Sequence, residues 1–330
     1  MTSRRVLLRG AVGAAALSAT RAFAQGAGPG IWPDRPVRLI VPYPAGGSTD
    51  ILARILADQL KEILGQPFVV ENRPGAGGNL GISALVSSPP DGYTIGAATI
   101  GHFAINQYLY DRMPYDPERD IVPVSMTWEL PNVAVVASQH VPARTLAEFI
   151  AWAKTRPGGI TYGSPGVGTT PHLSAALFFN RAGLIGAHVP FRGAAQTIPA
   201  MLSGDVTFAL DNLASYISFI EAGNMRALAV TSSERWPTLP DVPTMAEAGM
   251  PDVVVTSWAA FVVPAGTPRP IIDRLSGAMQ QVVKEPALQK RFEVAGARAL
   301  SSTPEQAAGL AAKERAVWKD VVRISGAKAQ

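Results

Sequence analysis

The sequence predicts an α/β protein of two lobes joined by crossing strands. Three observations lead there. Short apolar runs of strand length alternate with stretches of helical periodicity almost throughout, the pattern of mostly parallel sheets covered by helices. Once the first 24 residues are set aside, roughly 300 remain, enough for two domains of ordinary size. Neither an internal repeat nor a low-complexity linker separates them, so the connection is expected to run through strands, near 133–138 and 253–261. That places residues 25–135 plus 255–330 in one lobe and 136–254 in the other.

The first 24 residues read as an export signal. Ser3-Arg4-Arg5-Val6-Leu7-Leu8-Arg9 precedes a short apolar stretch, 11–19, and Ala22-Phe23-Ala24 has the small-x-small form of a cleavage site. A spanning helix needs about 20 apolar residues, so a removable signal cut near Ala24 fits better than an anchor. The expected location is the periplasm. The paired arginines resemble a twin-arginine signal, and an ordinary secretory signal also fits. The chain has no cysteine, which excludes disulfides, thiolate metal sites and a lipid-anchored cysteine.

The signal also explains the apparent basic charge. The chain carries 29 Lys+Arg against 25 Asp+Glu, but Arg4, Arg5, Arg9 and Arg21 lie in a signal that holds no acid. The remainder has 25 of each sign, which gives no reason to expect nucleic acid or an anionic membrane as partner. A composition 47% hydrophobic and 16% charged is that of a packed globular chain.

Element by element, 37–41 is an apolar strand. Ile51, Leu52, Ile55, Leu56, Leu60, Ile63 and Leu64 then recur at helical spacing, with Gly65 placed to end the helix. Strand, helix and strand follow at 68–70, 80–87 and 93–99. Further strands are expected at 160–162, 187–189, 206–210 and 226–231, with helices at 171–181, 194–202 and 213–222. The end is helical, 270–284, 286–295 and 304–324, each with Pro at or near its first turn, where a missing N–H costs nothing.

Two strand-to-helix loops carry the chemistry. In Pro42-Tyr43-Pro44-Ala45-Gly46-Gly47-Ser48-Thr49-Asp50 the glycines allow φ > 0 and close backbone approach. Ser48 or Thr49 suits the N-cap and Asp50 the first turn. Helix starts leave N–H groups unsatisfied at the positive end of the macrodipole, a ready anion site. Taken alone, the segment also fits an ordinary Gly-rich turn. The second loop, Tyr162-Gly163-Ser164-Pro165-Gly166-Val167-Gly168-Thr169-Thr170-Pro171-His172, repeats the logic, with Thr170 as N-cap, Pro171 at the first helical position, and Ser164, Thr169 and Thr170 as hydroxyl donors. One such start per lobe would grip a carboxylate from both sides of a cleft. Four or five charge-assisted hydrogen bonds of about 1.5–3 kcal/mol each would sustain a micromolar Kd, about −8 kcal/mol, without an arginine.

Other chemistries fit poorly. Gly75-Ala76-Gly77-Gly78-Asn79-Leu80 misses the dinucleotide fingerprint because Leu80 stands where the third glycine belongs; a close-packed turn on the cleft rim, including Gly78, is expected, and no cofactor. A nucleophile elbow around Ser164 would need glycine at Tyr162. The four histidines, His102, His140, His172 and His188, lack metal-ligand spacing, and no metal is expected. His172 stands beside the second helix start as a ligand contact or a packing residue. Arg192 follows a strand and either meets a carboxylate or stays solvated. Asp211, at the end of 206–210, orients a ligand amine or hydroxyl, or caps the next helix.

The ordered series Trp32-Pro33-x-Arg35-Pro36-Val37, Val41-Pro42-Tyr43-Pro44-Ala45-Gly46-Gly47-x-x-Asp50, Val70-Glu71-Asn72-Arg73-Pro74-Gly75-Ala76-Gly77-Gly78, Pro114-Tyr115-Asp116-Pro117, Gly166-x-Gly168-Thr169-x-x-His172-Leu173, Arg226-Ala227-Leu228-Ala229-Val230-Thr231, Leu239-Pro240-Asp241-Val242-Pro243-Thr244 with Glu247-Ala248-Gly249, and Pro264-Ala265-Gly266-Thr267-Pro268 resembles the Bug-type receptors of tripartite tricarboxylate transporters. The likeness spans essentially the whole chain after the signal. It implies a type II periplasmic-binding (Venus-flytrap) fold and a non-enzymatic interlobe cleft for a small carboxylate: a di- or tricarboxylate, an acidic amino acid or an aromatic acid. It carries ligand contact onto Tyr43, Ala45, Gly46, Gly47, Thr49, Asp50, Ser164, Gly168, Thr169, Thr170 and Asp211, and less directly onto Gly78, Thr99, His172 and Arg192. Expected partners are that ligand and a membrane permease of the tripartite type or, alternatively, a sensor kinase; a monomer is expected. Ile100 and Phe103 depart from the family's small polar residues and make one cleft wall more apolar. A third reading, an exported hydrolase, predicts contact between Ser164 and His172.

Overall fold

The structure, a computed structural model, describes residues 32–329; the signal read at 1–24 lies outside the described residues. The chain runs β1 (Val37–Val41), α1 (Ser48–Leu64), β2 (Phe68–Asn72), α2 (Asn79–Val86), β3 (Thr94–Thr99), β4 (Ile121–Ala137), α3 (Leu146–Lys154), β5 (Ile160–Ser164) and α4 (Thr170–Ala182). It continues β6 (Gly186–Pro190), α5 (Ala194–Ser203), β7 (Phe208–Asn212), α6 (Leu213–Glu221), β8 (Met225–Val230) and β9 (Thr256–Pro264). α7 (Arg269–Val282), α8 (Pro286–Val294), β10 (Arg298–Ala299) and α9 (Pro304–Ser325) complete it.

The strands order as β2-β1-β3-β9-β4-β7-β5-β6, with β8 and β10 also paired to β4. β1 lies parallel to β2 and β3, and β5 parallel to β6 and β7. The strands around β4 and β9 are antiparallel, so the sheet is mixed where a mostly parallel one was expected. The reason is the crossing itself, since the chain must return between lobes in the opposite sense. β4 is 17 residues long. It pairs with β9 as far as Pro131 and with β7 from Asn132 onward. Pro131 has no N–H to give a ladder and stands where β4 changes partners.

Each lobe buries apolar residues on both faces of its part of the sheet. On α1, Leu52, Leu56, Leu60 and Leu64 follow the four-residue repeat and pack on Val37, Leu39 and Val41. In the second lobe, Phe149 of α3, Phe178 and Phe179 of α4 and Phe208 of β7 form one aromatic cluster. α3 was not expected from the periodicity. Gly65 ends α1 in the left-handed conformation, φ 75°, as read. Among the described residues no helix is long and apolar enough to cross a membrane.

Two N-caps shift by one residue or more. α1 is capped by Gly47, not by Ser48 or Thr49, and α4 by Thr169, not Thr170. In the first case no side chain caps the helix, and Asp50, at the third helical position, instead ties down the residue before the cap. Its Oδ2 accepts the Gly46 N–H at 2.9 Å, which leaves both hydroxyl residues free to begin the helix. β7 begins two residues later than read, so Asp211 lies inside the strand, opposite Val133.

Candidate functional site

A cleft of about 720 Å3, its open mouth included, lies between the lobes. Four helix starts meet on it: Gly47–Thr49 of α1, Thr169–Pro171 of α4, Gly193–Ala195 of α5, and Asn212 with Ser215 of α6. Each follows the carboxyl end of a strand, where α/β sheets present ligands. Of the residues expected at the site, Tyr43, Ala45, Gly47, Thr49, Thr99, Thr169, Thr170 and Asp211 line the cleft. Gly46, Asp50, Gly78, Ser164, Gly168, His172 and Arg192 are not on its lining.

Those residues shape the loops from behind. Gly46 turns the first loop at φ 79°, a conformation that favours glycine. Asp50 is buried and accepts Arg54 Nε at 3.0 Å, Asn72 Nδ2 at 2.9 Å and the Gly46 N–H. Burial alone would raise its pKa, but these bonds together hold the carboxyl below its usual range. Asn72 also donates to the Tyr43 carbonyl at 3.0 Å, fastening the start of the loop to its end.

A second chain of contacts supports the same lobe's side of the cleft. The Tyr43 hydroxyl meets Thr99 Oγ1 at 3.1 Å, and His102 Nδ1 accepts the Thr99 N–H at 2.9 Å. Gly78 packs against the reverse side of the His102 ring, so it is one residue removed from the cleft. Burial pushes the Tyr43 phenol up to about 12 and the His102 imidazole down to about 3. Both are neutral at pH 7.

The second loop is built on two histidines. His172 and His188 stack with ring centroids 3.9 Å apart and planes 18° apart. His172 Nδ1 accepts the Gly168 N–H at 3.1 Å, and His188 Nε2 shares a 2.7 Å hydrogen bond with Ser164 Oγ. Burial lowers His172 to about 4 and His188 to about 3, so both are neutral acceptors or donors rather than cations. Ser164 is fully buried and pairs with His188, not with His172 as the hydrolase reading required. The loop hydroxyls are also committed: Thr169 Oγ1 donates to the Gly166 carbonyl at 2.8 Å, and Thr170 Oγ1 meets Ser257 Oγ at 2.5 Å. Both hydroxyls thus already have partners within the protein. Arg192 is exposed, consistent with a solvated charge.

Sequence reasoning missed four features. The α5 start has glycine as N-cap and no side-chain cap, leaving the N–H groups of Ala194 and Ala195 without an intrahelical acceptor. The α6 start contributes Asn212 and Ser215. The crossing carries a buried polar network in which Asn212 Nδ2 donates to Ser257 Oγ at 2.9 Å and to Asn132 Oδ1, while Asn132 Nδ2 donates to Ser174 Oγ at 3.0 Å. Trp128 and Leu130 of β4 form an apolar part of the lining.

The charge pattern is uneven. Among the described residues Asp211 is the one acid or base on the lining. Burial raises it to about 7, although its oxygens accept the Asn212 N–H at 2.7 Å and the Tyr216 hydroxyl at 3.0 Å. Thus α6 has a carboxyl at its start, as α1 has Asp50. α4 and α5 have no acid in their first turns. Among the described residues no group of three or more His, Asp or Glu is placed to hold a metal ion.

The comparisons agree with this architecture. Residues 52–326 match the model of the tripartite tricarboxylate transporter family receptor. BugT of Bordetella pertussis is 38% identical over 298 residues, covering 90% of this chain and 91% of BugT. The structure of R. palustris Rpa4515 with adipate superposes with a TM-score of 0.87 at 36% identity, covering 89% of this chain and 98% of that one. MatC from Rhodopseudomonas palustris with bound malate has a TM-score of 0.81 at 30% identity, covering 88% and 100%. With its family model, its relatives and its two-lobed periplasmic-binding fold in accord, the chain belongs to the tripartite tricarboxylate transporter receptor family, the Bug-type solute-binding proteins.

Proposed function

We propose that the chain is an exported receptor that captures a small carboxylate in its interlobe cleft and presents it to a membrane permease of the tripartite type. The observation that carries this reading is the convergence of four helix starts on a cleft whose lining, among the described residues, holds no cation. Backbone N–H groups at helix starts recognise an oxyanion by geometry and dipole. Neutral solutes gain little from them. The binding of adipate by Rpa4515 and of malate by MatC supports the same class of ligand here.

In this reading Gly47, Thr49, Thr169, Thr170 and Asp211 touch the ligand together with the α5 start, while Asp50, Ser164, Gly168 and His172 position the loops. Residues 25–135 with 255–330 and residues 136–254 are the two lobes that close on it. The segment 1–24 directs export to the periplasm and is removed near Ala24. Ligand affinity favours the closed arrangement by the difference between its contacts in the two states.

Thermal unfolding of the refolded, ligand-stripped chain tests the reading. A carboxylate at 100 times its Kd adds about 2.7 kcal/mol of stability and raises Tm by several degrees. A response to uncharged sugars, with none to carboxylates, would overturn it.

A further inference from the structure

We infer that capture of the ligand is coupled to protonation of Asp211: the cleft takes up one proton from solvent at this carboxyl for each carboxylate it binds. The inference rests on the carboxylate reading above and adds to it a dependence of affinity on pH.

Asp211 stands on the cleft lining one residue before the end of β7, 1% exposed. Among the described residues that lining holds no arginine, lysine or histidine. The Asp211 oxygens accept from two neutral donors, the Asn212 N–H at 2.7 Å and the Tyr216 hydroxyl at 3.0 Å. Its ionised form is thus a buried negative charge without a counter-ion, and an incoming carboxylate brings a second one into the same cleft. Where solvation is poor, a like charge favours the neutral acid. A proton on Asp211 removes the conflict without moving a side chain. The Tyr216 hydroxyl, donor to the carboxylate, can turn its hydrogen and accept from the acid, because a phenolic O–H serves in both roles.

The groups on the surrounding elements leave the proton to Asp211. Burial raises the phenols of Tyr216 on α6 and Tyr162 on β5, which stay neutral. His172, in the first turn of α4, is lowered by burial to about 4. β4 places Val133 opposite Asp211, and its Glu129 pairs with Arg298 at 2.9 Å. On α1, Asp50 is bonded to Arg54 and Asn72 and held below the usual carboxylate range. His102 and His188, behind the two loops, lie at about 3. Among these groups only Asp211, raised by burial to about 7, changes charge near neutral pH. The contrary reading pairs an ionised Asp211 with a cationic group of the ligand. Both of its oxygens are already engaged, and its 1% exposure leaves such a cation little to reach.

Titration calorimetry of the ligand-stripped chain with adipate, malate, glutamate and benzoate identifies the tightest of the four, and that acid is then titrated between pH 6.5 and pH 8.5. Its carboxylates stay ionised over this range. Raising the pH ionises Asp211 in the empty cleft, and binding must then reprotonate it. Affinity is therefore expected to fall by about tenfold or more across the range. At pH 8, binding enthalpies in HEPES and in Tris, which differ in ionisation enthalpy, are expected to report close to one proton taken up per ligand. Asp211→Asn is expected to lose both the slope and the uptake while a cooperative melt shows that the fold persists. The uptake by the parent chain stands as a test whether or not the variant folds. Constant affinity with no proton taken up would overturn the inference and leave the carboxylate receptor intact, as would a slope and uptake that survive in Asp211→Asn. Affinity that rises with pH would overturn it in favour of an ionised Asp211 holding a ligand cation. Binding of none of the four acids would overturn it together with the carboxylate reading.

Discussion

The backbone N–H of Ser48, the first residue of α1, donates to Ser215 Oγ of α6 at 3.0 Å, joining the two lobes at the cleft. The Ser48 hydroxyl donates in turn to Asn212 Oδ1 at 3.1 Å. A helix start in one lobe is thereby satisfied by a hydroxyl of the other. Any opening of the lobes would have to break this bond and return both groups to water.

Ser215→Ala removes the acceptor. A hydrogen bond of this kind contributes about 1 kcal/mol, all of it in the closed arrangement. The apparent ligand affinity is expected to fall by about fivefold, because the binding-competent population falls by that factor. Titration calorimetry reads the affinity, and small-angle scattering the mean separation of the lobes. Unchanged values in both would show that the contact has no part in closure.

Gly193, the N-cap of α5, faces Pro44 of the first loop across the cleft. A Cβ on Gly193 would stand 3.2 Å from Pro44 Cγ, tighter than ordinary van der Waals contact. Gly193→Ala is therefore expected to hold the lobes slightly apart, weakening ligand binding severalfold while changing Tm little. Affinity equal to or above that of the parent chain would contradict this.

Asp211 gives stability a distinctive pH dependence. Its pKa rises from 3.8 unfolded to about 7 folded, so between those values the native state holds more protons than the unfolded chain. Stability contributed by the neutral form is complete below about pH 4 and falls as pH rises toward 7. The loss is at most about 4 kcal/mol, taking 1.36 kcal/mol per unit. Asp211→Asn should abolish this slope. Melts of both proteins at pH 4 and pH 8 check it: the difference in Tm must move in favour of Asn as pH rises.

His172 acts in the opposite sense. Its pKa falls from 6.5 to about 4 through burial, so the unfolded chain binds a proton first. Its contribution is complete above about pH 6.5 and declines as pH falls toward 4, by at most about 3 kcal/mol. In His172→Gln a neutral amide oxygen can still accept the Gly168 N–H. The variant is expected to retain its fold at pH 7.5 and to lose less stability than the parent on acidification to pH 4. An equal acid loss in the two proteins would count against a neutral His172 beneath the loop.

The legibility of the site follows from where its signals lie. The α1 start was readable because its whole logic is local, a strand, Gly46-Gly47, then Asp50 within one turn. The exact cap was not, because Asp50 can reach back to Gly46 only once Arg54 and Asn72 have placed it. The α5 start carries no capping side chain, so nothing in Phe191-Arg192-Gly193-Ala194 distinguishes it from a plain turn. Asn132, Ser257 and Trp128 are single residues within apolar strands. The place of Trp128 and Ser257 on the cleft, and of Asn132 in the network behind it, depends on the register by which β4 passes from β9 to β7, a long-range pairing that neither periodicity nor spacing encodes. Ser164 and His172 had the right residue types for contact, yet folding turned them inward to support the loop.

If backbone helix starts, rather than a cationic side chain, select the carboxylate, the charge of the ligand must decide its affinity. Calorimetric titration of the ligand-stripped chain with a panel of small carboxylic acids, each beside its own uncharged amide, measures this. At least one acid is expected to bind one-to-one, with its amide weaker by a hundredfold or more. An amide bound as tightly as its acid would contradict it.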